Sequence, residues 1–198
     1  DPEHPFIVKT KSMDIKALGT AFEVFCVDSL SYAEMILAEG AVEVSTKKER
    51  EKGDVLLVKP DEKLAVFAED GRVFIRKKRH LNIKYDAIIL DAFDKDYIPE
   101  HMTSMEFVAQ VKNTLTDNGI LLANTFKTTN FAKYEESTYQ AVFGDIYESL
   151  IPNGNRIIIA GQRAAGVAEN LPASQKITQS KAAVMTDKYS PANALLAR

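Results

Sequence analysis

The chain has 198 residues, 45% hydrophobic and 27% charged, with a formal net charge of −3. That balance suits a soluble globular protein of one ordinary or two small domains, and it lacks the basic footprint of a nucleic-acid binder. No apolar stretch approaches the roughly 20 residues that span a bilayer. The single cysteine, Cys26, leaves no internal disulfide and no Cys/His metal site, and the start, Asp1-Pro2-Glu3-His4, lacks the basic head and apolar run of a signal peptide.

In chain order, the first seventy-odd residues read as strands. Phe6–Thr10, Ala21–Val27, Ala41–Ser45, Val55–Val58 and Leu64–Phe67 are β-rich runs bounded by Gly, Pro, Asp or Ser. Gly19, Gly40 and Gly53 fall between runs, and Lys47–Lys52 reads as a solvated hairpin tip. Cys26 sits in an apolar strand and is expected to be an inert core residue.

From residue 85 the rhythm becomes strand–helix–strand. Ala87-Ile88-Ile89-Leu90 is a continuous apolar run, expected for a strand covered on both faces of a parallel sheet. Thr103-Ser104-Met105-Glu106 fits a capping box, with Phe107, Val108, Val111 and Leu115 as the buried stripe and Asn118-Gly119 as the stop. Strands are expected at Ile120–Asn124 and Arg156–Ala160, a helix over about Phe131–Phe143, and a short helix near Leu171–Thr178. Arg76-Lys77-Lys78-Arg79 reads as a solvated connector.

The chemistry concentrates in Tyr85-Asp86-Ala87-Ile88-Ile89-Leu90-Asp91-Ala92-Phe93-Asp94-Lys95-Asp96-Tyr97-Ile98-Pro99. A buried strand delivers Asp91 to its carboxyl end, the edge where open α/β sheets bind ligands. Asp94 and Asp96 follow in the loop. Three carboxylates in one cleft would hold a cationic amine by charge-assisted hydrogen bonds, and one of them could take a proton to free its lone pair. The plainer reading is a strand ending in an acidic, solvated turn, and pattern alone slightly favours it. His4, His80 and His101 have no metal spacing, and Tyr97 could line a pocket or simply pack.

That stretch resembles the polyamine aminopropyltransferase (spermidine synthase) family, whose pattern is Tyr-Asp, an apolar run, then Asp, two residues and Asp. The resemblance continues through Asp96–His101, Asn124-Thr125-Phe126, Ser137–Gly144, Asn155–Ala160 and Met185–Asn193, in order, over about two thirds of the chain. It implies Asp91 as the base acting on the attacking amine of putrescine or a similar polyamine, with Asp94 helping to anchor it. It also implies decarboxylated S-adenosylmethionine as co-substrate and no metal. Asp70-Gly71 falls where the family has a pair that ends a strand and accepts from the adenine amino group. Asp-Gly is equally a hairpin-turn signal, and the two readings stand level.

The family's earlier half is not legible. Its glycine-rich nucleoside loop needs closely spaced glycines, and no two of the nine here lie within four positions of each other. The first part of the chain resembles FecR-type anti-sigma regulators instead, through Pro5–Thr10, Ile15–Val24, Glu39–Val44 and Leu57–Leu64.

The expected architecture is α+β: a β-rich FecR-like segment over 1–68, then a partial Rossmann-like α/β segment of methyltransferase type over 69–198. Such a chain would be a chimera, a gene fusion or a protein whose β half packs on the orphaned sheet. Its expected function is aminopropyl transfer with an incomplete site. The competing expectation is a non-catalytic signalling module that binds a sigma factor or receptor. The first reading places the protein in the cytoplasm with a polyamine as its small-molecule partner, the second in the periplasm. Neither calls for nucleic acid, and both permit a homo-oligomer.

Overall fold

The computed structural model describes residues 5–11, 13–18, 21–27, 32–46, 56–58, 63–67, 69–92, 97, 99–127, 130–152 and 154–196. The chain divides into two compact units, Asp1–Asp70 and Gly71–Arg198. The fold is α+β, a β-rich unit followed by a Rossmann-like α/β unit.

The first unit holds seven strands: β1 (Ile7–Lys9), β2 (Met13–Ala17), β3 (Ala21–Val27), β4 (Tyr32–Glu39), β5 (Val42–Thr46), β6 (Leu56–Val58) and β7 (Lys63–Phe67). They form a four-stranded sheet, β1-β2-β5-β6, and a three-stranded sheet, β3-β4-β7, with every pairing antiparallel. Period-two alternation turns Met13 and Ile15 of β2, Val42 and Val44 of β5, and Ala33, Met35 and Leu37 of β4 into one apolar cluster shared by both sheets. The expected strands are found, together with two more, β2 and β4. Lys47–Lys52, Gly19 and Gly53 lie outside the described residues. Cys26 is exposed rather than a core residue: it shares the parity of Phe22 and Val24, which pack on the cluster, but lies one residue from the end of β3, past the cluster.

The second unit opens with helix α1 (Gly71–His80). The Asp70-Gly71 pair is therefore not a hairpin turn: Gly71 begins a helix. Arg76 to Arg79 are not a connector either but part of this helix, and Lys77, Lys78, Arg79 and His80 form its last turn, where cations meet the negative end of the helix dipole. Strand β8 (Tyr85–Leu90), a 3₁₀ turn (Glu100–Met102), helix α2 (Met105–Lys112) and strand β9 (Leu115–Phe126) follow. Next come α3 (Ala132–Phe143), β10 (Tyr147–Leu150), β11 (Asn155–Gly161), α4 (Ala164–Ala168), β12 (Ser174–Lys176) and α5 (Ala192–Leu196).

The five-stranded sheet runs β12-β10-β11-β9-β8. Only β8 and β9 are parallel; the other pairs are antiparallel. Its principal core joins Phe107, Val108 and Val111 of α2 to Leu121 and Ala123 of β9, Tyr139 of α3 and Ile158 and Ala160 of β11. At Gly161 (φ 111°) an added Cβ would lie 2.5 Å from the Gly119 carbonyl oxygen, so only glycine lets the two strands approach there.

Four expectations are corrected here. Strand β8 is not covered on both faces: among the described residues it is an edge of the sheet, and Ile89 is 71% exposed. Helix α2 is capped by Ser104, which accepts from the Phe107 amide at 3.2 Å, not by Thr103, whose hydroxyl donates to the Glu100 carbonyl. The helix ends at Lys112, because Thr114 already accepts from the Tyr85 amide as the chain enters the sheet. The segment near 171–178 contains strand β12 in place of a helix.

Candidate active site

Asp91 follows the last residue of β8, and the register pairs Leu90 with Ala123 of β9. The next residue of each strand therefore emerges side by side at the carboxyl end of the parallel pair. There the Asn124 Nδ2 donates to Asp91 Oδ1 at 3.0 Å. Asn155, at the start of β11, reaches the Asn124 Oδ1 at 3.5 Å, which turns the amide nitrogen of Asn124 towards Asp91. An amide is a suitable neighbour for a working carboxylate, because it fixes one oxygen without cancelling the charge.

Asp91 is exposed and stands at the rim of a concavity of about 350 Å³. Phe74 and Ile75 of α1, Ile88 and Leu90 of β8, and Met102 form much of its wall. Tyr85 also lines it, and burial holds the phenol above its ordinary pKa. Gly71 lies on the same wall, where an added Cβ would come 2.9 Å from Met102 Cε. Gly71 and Asp91 thus border one cavity. Asp70, exposed, immediately precedes it in the chain. Asp94 and Asp96 lie outside the described residues. Tyr97 and His101 are exposed.

A second cluster fixes the surroundings of this cavity. Arg72, buried at the start of α1, donates from Nη1 to the His101 carbonyl at 2.8 Å and to Asp187 Oδ1 at 2.6 Å, and from Nη2 to Asp187 Oδ2 at 2.6 Å. The Ser104 hydroxyl donates to Asp187 Oδ1 at 2.6 Å, and the Asp187 amide donates to Glu106 Oε2 at 3.0 Å. One carboxylate therefore ties α1, the cap of α2 and the Met185–Tyr189 segment together. The Arg72 guanidinium is the first cause that holds the Asp187 carboxyl below its ordinary pKa.

Asn124 and Asp187 lie inside the sequence motifs Asn124-Thr125-Phe126 and Met185–Asn193 without a role of their own, and Arg72 follows Asp70-Gly71 unmarked. For Asn124 a signal existed: two apolar runs, Ala87–Leu90 and Ile120–Ala123, each end in a polar residue. If the runs pair in parallel, those ends meet. Arg72 and Asp187 are 115 positions apart, and only the folded chain joins them. Among the described residues no group of three or more His, Cys, Asp or Glu side chains is placed to hold a metal ion, and no helix is long and apolar enough to cross a membrane.

The chain is 35% identical over 162 residues to the polyamine aminopropyltransferase of Vibrio vulnificus (strain CMCP6), covering 69% of this chain and 54% of that protein. It is 27% identical over 97 residues to the polyamine aminopropyltransferase of Thermoplasma volcanium, covering 46% and 34%. The chain therefore spans about half the length, or less, of these relatives. Among solved structures, a probable spermidine synthase from Corynebacterium glutamicum superposes with a TM-score of 0.47 at 19% identity, over 62% of this chain and 53% of that one. The family model for the spermine/spermidine synthase domain matches residues 17–152, starting in β2, well upstream of Asp70. This chain belongs to the spermine/spermidine synthase domain family.

Proposed function

We propose that this chain carries the amine-activating part of an aminopropyltransferase site, with Asp91 as the general base. The observation that carries the reading is the position of Asp91: it ends the parallel strand at the sheet's carboxyl edge, is held through one oxygen by Asn124, and borders a largely apolar cavity. A polyamine is a hydrocarbon chain with charged ends. The cavity wall of Phe74, Ile75, Ile88 and Leu90 suits its methylenes, and Asp91 suits an ammonium.

In the proposed reaction the attacking ammonium gives a proton to the free oxygen of Asp91. The nitrogen lone pair then forms a bond to the methylene next to the sulfonium of decarboxylated S-adenosylmethionine. The carbon–sulfur bond breaks, its electron pair stays on sulfur, and a longer polyamine and methylthioadenosine result. The chain's own task is to orient the amine, exclude water with the apolar wall and accept the proton. Asp94 is proposed to anchor the amine, and Asp70 with Gly71 to meet the nucleoside. The reading carries with it a cytoplasmic location and a domain division near residue 68.

The test is calorimetry with methylthioadenosine, followed by product analysis with putrescine and decarboxylated S-adenosylmethionine. The expected result is nucleoside binding kept in Asp91→Asn and turnover reduced by about 10²–10⁴-fold, the usual contribution of a positioned base. Absence of nucleoside binding in the wild-type chain, or undiminished turnover in Asp91→Asn, would overturn the reading.

A further inference from the structure

Beneath α3 lies a cluster of charges that the amine chemistry does not use. Arg156 of β11 is fully buried, at 0% exposure. Its Nε donates to Thr125 Oγ1 at 3.0 Å, its Nη1 to Glu136 Oε1 at 2.6 Å and Glu148 Oε2 at 3.1 Å, and its Nη2 to the Ala132 carbonyl at 3.0 Å. Glu148 of β10 also accepts from Lys127 at 2.8 and 2.9 Å and from Gln175 of β12 at 2.7 Å. Glu136 lies 3.6 Å from Lys127 and is only partly shielded from water. These two carboxylates are well satisfied.

Glu135 is not. It is 1% exposed, its Oε2 reaches Arg156 only at 3.5 Å, and its Oε1 is buried with no hydrogen-bond partner. Fully ionised, the cluster would hold three carboxylates (Glu135, Glu136 and Glu148) against two cations (Arg156 and Lys127). A buried, unbalanced negative charge costs several kcal/mol, and one proton removes it. The proton belongs on the carboxylate with the poorest contacts and no access to water.

We propose that Glu135 is a carboxylic acid at neutral pH, and that loss of its proton in mildly alkaline solution loosens α3 from the sheet, a pH-sensitive element built into the core. Burial pushes the Glu135 pKa up from 4.5 to about 8, against the pull of Arg156 and of the Thr125 hydroxyl, and the neighbouring Glu136 charge adds to the rise. Tyr139, on the same helix, stays protonated, because burial and then the Glu135 charge raise its phenol further. Arg156 stays charged, since its carboxylates outweigh its burial. The element is independent of the transferase reading.

The sign follows from proton counts. Between pH 4.5 and about 8 the folded chain holds a proton on Glu135 that the unfolded chain has released, so stability is lost as pH rises through that window. Glu135→Gln keeps the shape without the titration. Unfolding of the 198-residue wild-type chain and the variant is followed from about pH 6 to about pH 10. The ratio of their unfolding constants is expected to grow by about tenfold per pH unit up to about pH 8, in the variant's favour, then level off. Amide exchange in 132–143, corrected for its intrinsic pH dependence, should rise above about pH 8 in the wild type alone. If the variant does not fold, carboxyl-carbon NMR of the wild type labelled at glutamate should show one carboxyl titrating near pH 8. Parallel stability curves, equal exchange in 132–143, or no glutamate titrating above about pH 7 would each overturn the proposal.

Discussion

The two units bury their interiors by different means. In the first, the buried side chains among the described residues are apolar: Met13, Ile15, Ala33, Met35, Leu37, Val42 and Val44, drawn from alternate positions of antiparallel strands. In the second, an apolar core of comparable character sits beside buried Arg72, Glu135, Glu148 and Arg156, each tied to partners far away in the chain. An alternating core tolerates many apolar sequences, because transfer from water is non-directional. A charged interior tolerates few, because each group needs its partner.

The largest expected effect tests that contrast at Arg156. Arg156→Met removes the cation from beneath α3 and strands Glu148 and Glu136 beside Lys127 alone. Breaking a buried ion cluster on one side costs about 3–5 kcal/mol. Denaturant unfolding combined with amide exchange should place that loss in residues 71–198. Met35→Ala is the counterpart in the first unit, with an expected cost of about 2–4 kcal/mol from lost transfer energy and the cavity left behind. The contrast breaks if Arg156→Met is neutral, as when a buried ion group is replaceable by hydrocarbon, or if both variants lower exchange protection equally throughout the chain.

How far each region was legible follows the same division. Strand β3 reads directly from Ala21 to Val27, since β-branched and aromatic residues dominate it. Strand β4, Tyr-Ala-Glu-Met-Ile-Leu-Ala-Glu, is rich in helix formers and becomes a strand only because β3 and β7 pair with it on both sides. In the second unit, β10 and β12 lack an alternating apolar pattern because polar residues fill them: Glu148 accepts from Arg156, Ser149 donates to the Pro172 carbonyl, and the exposed Gln175 donates to Glu148. Thr103 and Ser104 both suit a cap by type. Tertiary contacts choose Ser104, since the Glu106 carboxylate that a capping box would use is taken by the Asp187 amide. Asp91 was legible because a parallel strand must end somewhere and that end is where ligands meet the sheet. Its partner Asn124 ends the second apolar run, and the parallel register brings it to Asp91.

A smaller effect sharpens the comparison at the site itself. Asn124→Ala removes the donor that fixes Asp91 Oδ1. A hydrogen bond to a charged group is worth about 1.5–3 kcal/mol, or about 10–100-fold in turnover if it matters only when Asp91 acts. Kinetics should show the loss in kcat with nucleoside binding unchanged. Glutamine at 124 keeps the amide but moves it by one methylene, so partial recovery is expected. A variant that binds methylthioadenosine poorly and unfolds early would mark Asn124 as a packing residue instead.

The smallest expected effect concerns Asp187, and its sign is opposite to that of Glu135. Arg72 lowers the Asp187 pKa from 3.8, so the ionised form is favoured in the fold. The contribution is therefore present above pH 3.8 and is lost as the pH falls through the depressed folded value. With the side chain 41% exposed, solvent screens much of the attraction, and the net contribution is modest. Asp187→Asn keeps the size and can still accept from Ser104, but it loses the bidentate charge pair. Its unfolding midpoint should lie slightly below that of the wild type near neutral pH, and the two should converge in acid. Glu148, whose pKa is also lowered, titrates in both proteins and cancels from the difference. The two carboxyl substitutions thus separate the two kinds of charge burial: Asp187→Asn closes its gap on acidification, whereas Glu135→Gln opens one on alkalinisation. A gap at Asp187 that stays constant through acid would mean that shape, not charge, holds the Met185–Tyr189 segment against α1 and α2.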